Sequence, residues 1–205
     1  RSLPNIYPHD LIFDGDDIWI GGQSNGYIPS GICLWRGNPD SWYYFEAGLI
    51  RGIYDHNIHA ITGAKRYIFF GSQQGLIRYD KKKKRWETFT RQQRLLSEKI
   101  NDLYIYKNTL FIATDRGFNW MDLGYDEINR SKNRKLNNIP VTRIAATDSS
   151  LLFATPYGIY QYFPEKDSLA LLKTGSSVMD VQIGAVGVHH DSLWFAGQNG
   201  VAYFD

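Results

Sequence analysis

The stretch Tyr67-Ile68-Phe69-Phe70-Gly71-Ser72-Gln73-Gln74-Gly75-Leu76-Ile77-Arg78-Tyr79-Asp80 decides the fold of this 205-residue chain. A β-rich run ends in two small residues, Gly71 and Ser72. It turns through Gln73 and Gln74 to Gly75 and leaves as a second β-rich run with an aromatic at Tyr79. That order of residues spells a β-hairpin. The same order recurs along the chain, so the hairpin is the unit from which the fold has to be built.

Aligning the copies on the turn glycines Gly31, Gly75, Gly117, Gly158 and Gly200 gives successive spacings of 44, 42, 41 and 42 residues. Upstream of each hairpin stand two apolar residues three apart, followed eight residues later by an aromatic or Leu. These are Ile58, Ile61 and Phe69; Ile100, Leu103 and Phe111; Val141, Ile144 and Leu152; Ile183, Val186 and Trp194; and, in the first copy, Pro8, Leu11 and Trp19. Four residues after each turn glycine comes a large side chain: Trp35, Tyr79, Met121, Tyr162 or Phe204. A further apolar pair follows in Trp42 and Phe45, Trp86 and Phe89, and Leu169 and Leu172, marking an outer strand. The third copy offers only Ile128 and Ser131, so its outer strand should be short.

A period of this length with four short strands is that of a β-propeller blade. The strands, A to D from the axis outward, are expected in the second copy over Asn57 to Thr62, Tyr67 to Ser72, Gly75 to Asp80 and Arg85 to Thr90. The fold class is therefore all-β, with four-stranded antiparallel blades over approximately 8–46, 57–90, 99–131, 140–173 and 182–205: four complete blades and three strands of a fifth. The B strands read as continuous apolar runs, such as Ile18-Trp19-Ile20 and Leu110-Phe111-Ile112, and a strand apolar on both sides must be covered on both. Small residues Gly71, Ala113, Ala154 and Ala196 end these strands, where an approaching backbone would crowd a larger side chain. Arg91 to Lys99 has the best helical composition, but only as a connector.

The 23 basic and 21 acidic residues leave a formal charge of +2, which calls for no nucleic-acid partner. No run approaches the roughly 18 apolar residues of a membrane span. Cys33 is the only cysteine, so no intrachain disulfide forms. It aligns with Ile77 and is expected as a buried thiol.

The hairpins Phe70-Gly71-Ser72-Gln73-Gln74-Gly75-Leu76-Ile77-Arg78-Tyr79-Asp80 and Leu193-Trp194-Phe195-Ala196-Gly197-Gln198-Asn199-Gly200-Val201 resemble the two-component-regulator propeller repeat. Its usual form is Leu-Trp-Ile-Gly-Thr, a short turn, Gly-Leu, then Tyr-Asp. The resemblance covers essentially the whole chain, departing in Ala for Gly in three copies and in Phe163 for the closing Asp of the fourth. It implies a bacterial sensing propeller outside the cytoplasm, periplasmic or extracellular. The repeated residues are packing residues, so function has to come from the loops.

In such a blade the BC turns and DA connections emerge on one edge, and the AB and CD turns on the other. The first copy inserts six residues between B and C, in the region Gln23 to Pro29. The BC edge thus gathers Gln23, Asn25, Tyr27, Gln73, Gln74, Asp115, Arg116, Tyr157, Gln198 and Asn199, with Tyr54 as a further loose aromatic. Amide, hydroxyl and aromatic side chains on a rigid scaffold suit an uncharged polar ligand such as an oligosaccharide, although Gln and Asn also simply favour exposed turns. Asp55, His56 and His59 suggest a metal or acid–base pair. His59, however, shares its repeat slot with His9, Asn101, Thr142 and Gly184, which favours a structural role. His189 and His190 belong to an AB turn on the opposite edge, and Lys81 to Arg85 to a CD turn, where a solvated surface is the ordinary outcome.

The favoured reading is a non-catalytic recognition module without metal or cofactor, binding a small polar ligand or a protein partner. A carbohydrate-active enzyme would need two carboxylates converging near the axis, for which Asp10, Asp55, Asp102 and Asp180 are available. A structural subunit of a larger assembly is the third reading. Because the fifth copy stops after strand C, further blades of the same polypeptide are expected to cover the end faces, with a five-bladed ring lacking one outer strand as the alternative. Arg1 to Tyr7 then act as a connector, and Trp19, Phe69, Phe111 and Trp194 are expected to lie buried between blades.

Overall fold

The computed structural model describes residues 6–24, 31–37, 41–52, 57–172, 183–189, 192–197 and 200–204. It contains five antiparallel sheets arranged as propeller blades. The first is β1 (Ile6–Asp14), β2 (Asp17–Ser24), β3 (Ile32–Trp35) and β4 (Trp42–Phe45). The second is β5 (Ile58–Gly63), β6 (Tyr67–Ser72), β7 (Gly75–Asp80) and β8 (Arg85–Phe89). The third is β9 (Ile100–Tyr106), β10 (Thr109–Thr114), β11 (Gly117–Asp122) and β12 (Ile128–Arg130), whose last strand is short, as its lost apolar pair implies. The fourth is β13 (Arg143–Ala146), β14 (Leu151–Thr155), β15 (Gly158–Phe163) and β16 (Ser168–Leu171). The fifth has three strands, β17 (Ile183–His189), β18 (Ser192–Gly197) and β19 (Gly200–Phe204). The best helical stretch supplies only a 3-10 turn, Arg91–Gln93, closed by a capping box between Thr90 and Gln93.

The BC hairpin shows why its residues recur. Gly75, Gly117, Gly158 and Gly200 all take φ between 113° and 129°, a region L side chains rarely adopt. A Cβ on Gly75 would also stand 2.4 Å from the Phe89 carbonyl oxygen. The residue closing strand B is a fully buried hydroxyl that clasps the turn. Ser72, Thr114 and Thr155 each donate to the carbonyl of the turn glycine at 2.8–3.0 Å and accept the backbone N–H two residues on.

Packing runs from each blade to the next along the chain. The aromatic column faces forward: Trp19 enters the core shared with the second blade, Phe69 that with the third, and Phe111 that with the fourth. What meets the small column at the end of strand B is the following blade's inner-strand pair. A Cβ on Gly71 would lie 2.5 Å from Ile100 Cγ2, and one on Gly21 would lie 2.5 Å from Ile58 Cγ2. The crowding expected from backbone therefore comes from side chains, and it links two columns of the repeat across the blade interface.

Two expectations are corrected. Trp194 is 43% exposed, unlike Trp19, Phe69 and Phe111, because none of the described residues forms a blade against its side of β18; it stacks instead on the exposed Tyr203. Leu11 and Phe13 are likewise exposed at the other end of the array. Second, Ile6 and Tyr7 belong to strand, not connector. Because β2 runs on to Ser24, they find partners in Ser24 and Gln23, and Ile6 is buried. Cys33 is buried as expected, and burial pushes its thiol up to about 12.

Candidate functional site

Strand A is bulged in four copies, between Pro8 and Asp10, Ile58 and Ala60, Ile100 and Asp102, and Ile183 and Ala185. The extra residue is His9, His59, Asn101 and Gly184 respectively, the polar slot of the repeat. A bulge re-aims one side chain without disturbing the rest of the ladder. Here the re-aimed side chains reach across to the next blade. His9 Nδ1 lies 3.1 Å from the Ile58 carbonyl, and Asn101 Nδ2 donates to Val141 O at 2.9 Å. Thr142, in the same slot, donates to Ile183 O at 3.3 Å. His59 stacks on His9 with ring centroids 5.9 Å apart.

The next residue completes the link where it is an aspartate. Asp10 Oδ2 accepts the Ile61 N–H at 2.7 Å and Asp102 Oδ2 accepts the Ile144 N–H at 2.7 Å. Their other oxygens accept the N–H of Leu11 and Leu103. Burial pushes the Asp102 carboxyl up to about 6, against the pull of the Ile144 and Leu103 N–H groups and the charge of Arg143, while Asp10 adds a small upward push. Two of the four carboxylates named for the enzyme reading, Asp10 and Asp102, are thus committed to holding inner strands together. Asp55 and Asp180 lie outside the described residues.

Inner strands of four blades converge on one cleft of about 580 Å³, lined by Pro8, His9, His59, Lys99, Asn101, Thr142 and Arg143. It opens where the strands begin, on the edge that carries the BC turns. Arg143 reaches over its floor to the carbonyls of Asn101 and Thr142. Asp115, a candidate from the BC turn of the third blade, is drawn toward this cleft. It accepts from Asn101 Nδ2 at 3.1 Å and pairs with Lys99 at 3.1 Å.

The other described candidates do not converge. Gln23 lies not in the BC insert but within the lengthened β2, paired with Tyr7; Gln73 and Gln74 sit on the turn of the second blade, and Tyr157 stands 69% exposed on the fourth. Arg116 borders a separate cleft of about 670 Å³ between the DA connections. Asn25, Tyr27, Tyr54, Gln198, Asn199, His56 and His190 lie outside the described residues. On the opposite edge Lys81 pairs with Asp14 of the first blade and Arg85 with Glu87. Among the described residues no group of three His, Cys, Asp or Glu is placed to hold a metal ion. A basic segment, Arg130, Lys132, Arg134 and Lys135, runs from the end of β12 into the following DA connection, and its signal is present in the sequence.

No protein-family model matches the chain, and no curated protein matches it in sequence. Solved structures share its fold. The extracellular domain of BT4673 from B. thetaiotaomicron, a protein proposed as a one-component system, superposes with a TM-score of 0.78 at 17% identity, over 100% of this chain and 28% of that one. PorZ, a surface component of the type-IX secretion system of Porphyromonas gingivalis, gives 0.74 at 15% identity over 98% of this chain and 27% of its own. YCF48 bound to D1 peptide gives 0.73 at 12% identity over 100% of this chain and 65% of that one. The chain therefore spans between a quarter and two thirds of the length of these neighbours. Among the described residues no helix is long and apolar enough to cross a membrane.

Proposed function

We propose that this chain is part of a non-catalytic recognition propeller, the sensing segment of a bacterial regulator outside the cytoplasm, and that it takes a small, uncharged polar ligand of oligosaccharide type on the BC edge. The observation that carries the reading is the convergence of four inner strands on the cleft of about 580 Å³, within the size range of small-ligand sites. Its lining offers donors and acceptors in Lys99, Asn101, Thr142 and Arg143 on strands locked to one another, so little ordering is needed on binding. The engagement of Asp10 and Asp102 with backbone N–H groups speaks against the carboxylate-pair enzyme. Docking of a protein partner is the second reading, supported by the peptide that YCF48 carries.

Titration of a neutral oligosaccharide panel against the wild type, Arg143→Ala and Tyr157→Ala tests the proposal. Binding that weakens in Arg143→Ala upholds the axial cleft. Binding that weakens only in Tyr157→Ala moves the site outward on the same edge, and saccharide binding unaffected by both sinks the assignment of the edge.

The proposal includes further blades of the same polypeptide over the exposed faces at Trp194, Tyr203 and Val201 and at Leu11 and Phe13, because apolar sheet faces of this kind are normally covered. Hydroxyl-radical footprinting of the whole polypeptide should find Trp194 and Tyr203 protected. Full reactivity at both would refute the continuation.

A further inference from the structure

We infer that the cleft beside Arg116 is a second binding site, built for an acidic saccharide, one bearing a carboxylate or a sulfate ester. Three arginines, Arg91, Arg116 and Arg130, line it with one acidic residue, Glu98, and with Gln92, Asn137 and Asn138. It is separate from the axial cleft, with which it shares none of its lining residues.

The walls are held in place by hydrogen bonds from side chain to backbone. The buried Asn119 accepts the Leu96 N–H at 2.8 Å and donates to the carbonyls of Arg94 and Asn129, fixing the connection that leads out of the second blade. Arg130 donates through Nε to Arg94 O at 3.0 Å and through Nη2 to Leu95 O, which orients its guanidinium and leaves Nη1 for a ligand. The Thr90–Gln93 capping box sets the turn bearing Arg91 and Gln92, and Glu98 accepts the Arg91 backbone N–H. On the far wall the Asn138 N–H donates to Arg116 O at 3.2 Å, tying the BC turn to the next DA connection.

The side chains of Arg91 and Arg116 make no ion pair or hydrogen bond with the described residues, whereas Arg66, Arg78, Arg85 and Arg94 each pair with a carboxylate. Guanidinium groups that outnumber the one carboxylate beside them, two of them unpaired among the described residues, match an oxyanion, which they can grip through two parallel N–H···O bonds. The neighbouring amides supply both donors and acceptors, which hydroxyls of a sugar ring can use and a bare anion cannot.

An array of neutral, uronate-bearing and sulfated oligosaccharides, probed with the wild type, Arg91→Gln, Arg116→Gln and Arg143→Ala, tests the inference, with calorimetry on the best hit at two salt concentrations. The expected result is binding of uronate-bearing or sulfated members that is weaker at higher salt, beside any neutral members held in the axial cleft. Each of the two Gln variants should reduce it by roughly tenfold or more, the scale of a lost charge-assisted hydrogen bond, with unchanged melting temperature and no effect of Arg143→Ala. Which of the two acidic sets binds tells carboxylate from sulfate. Absence of any acidic hit, acidic hits that survive both Gln variants, or equal binding of a triglutamate peptide would overturn it. Neutral hits sensitive only to Arg143→Ala, with no acidic hit, would overturn this inference while leaving the axial site standing.

Discussion

Replacing Asp102 by Asn should change the pH dependence of stability in a direction opposite to that of most paired carboxylates. In the folded chain burial lifts this carboxyl from an ordinary 3.8 to about 6. Between about pH 4 and pH 6 the folded state therefore holds a proton that the unfolded chain has released, and stability falls as pH rises through that window. The contribution is fully present below it and gone above about pH 6. At 1.36 kcal/mol per pH unit the interval sets a ceiling of about 3 kcal/mol, reduced in practice because the residue keeps some solvent contact. Urea midpoints of wild type and Asp102→Asn measured across this range isolate the group. Asn loses one of the two N–H···O bonds at every pH, which offsets the curves without tilting them. The wild type's advantage should shrink as pH rises from about 4 to about 6 and then level off. A difference that stays constant or widens with pH would show that hydrogen bonds from Ile144 and Leu103 outweigh burial and would refute the reasoning.

Three further changes follow from the packing. Phe69→Ala empties a fully buried site between the second and third blades and should destabilise by about 3 to 5 kcal/mol, read from urea unfolding with unchanged slope. Gly71→Val pushes side-chain atoms into Ile100 and should lower stability by about 1 to 3 kcal/mol, with partial recovery when Ile100 is shortened to Val. Arg78, 5% exposed, pairs with Glu87 and with Asp126 of the third blade and lies 4.4 Å from the Tyr67 ring centroid. Arg78→Ala removes the partner of Asp126 and one of the two partners of Glu87, which keeps Arg85, and should cost about 1.5 to 3 kcal/mol, while Arg78→Met, which keeps the volume, should cost less; equal losses would show that charge is not the issue.

The hairpin strands Tyr67–Ser72 and Gly75–Asp80 match the reading from sequence because strand, turn glycine and closing aromatic are local signals repeated in register. The start of β1 was missed because Ile6 and Tyr7 owe their pairing to the lengthened β2, a partner beyond the reach of periodicity. The polar slot was visible as a column. Its purpose was not, since the carbonyls it meets lie 40 to 49 residues away in the next blade. Tyr157 was legible as a loose aromatic, and its exposure agrees. The Arg130 to Lys135 connection was overlooked because a basic run in a loop is usually only a solvated surface.

The links from His9 to Ile58, Asn101 to Val141 and Thr142 to Ile183 all join one blade to its successor, as do the apolar cores. Cooperativity in such an array is set by nearest-neighbour coupling, so its interior should open last. Amide hydrogen exchange in this segment taken alone is then graded along the chain: β6 and β10, walled by blades on both sides, exchange most slowly, and β18, walled among the described residues on one, exchanges sooner. A ligand bridging several blades at the axis would flatten that gradient, turning a stack of separable units into one that opens as a whole.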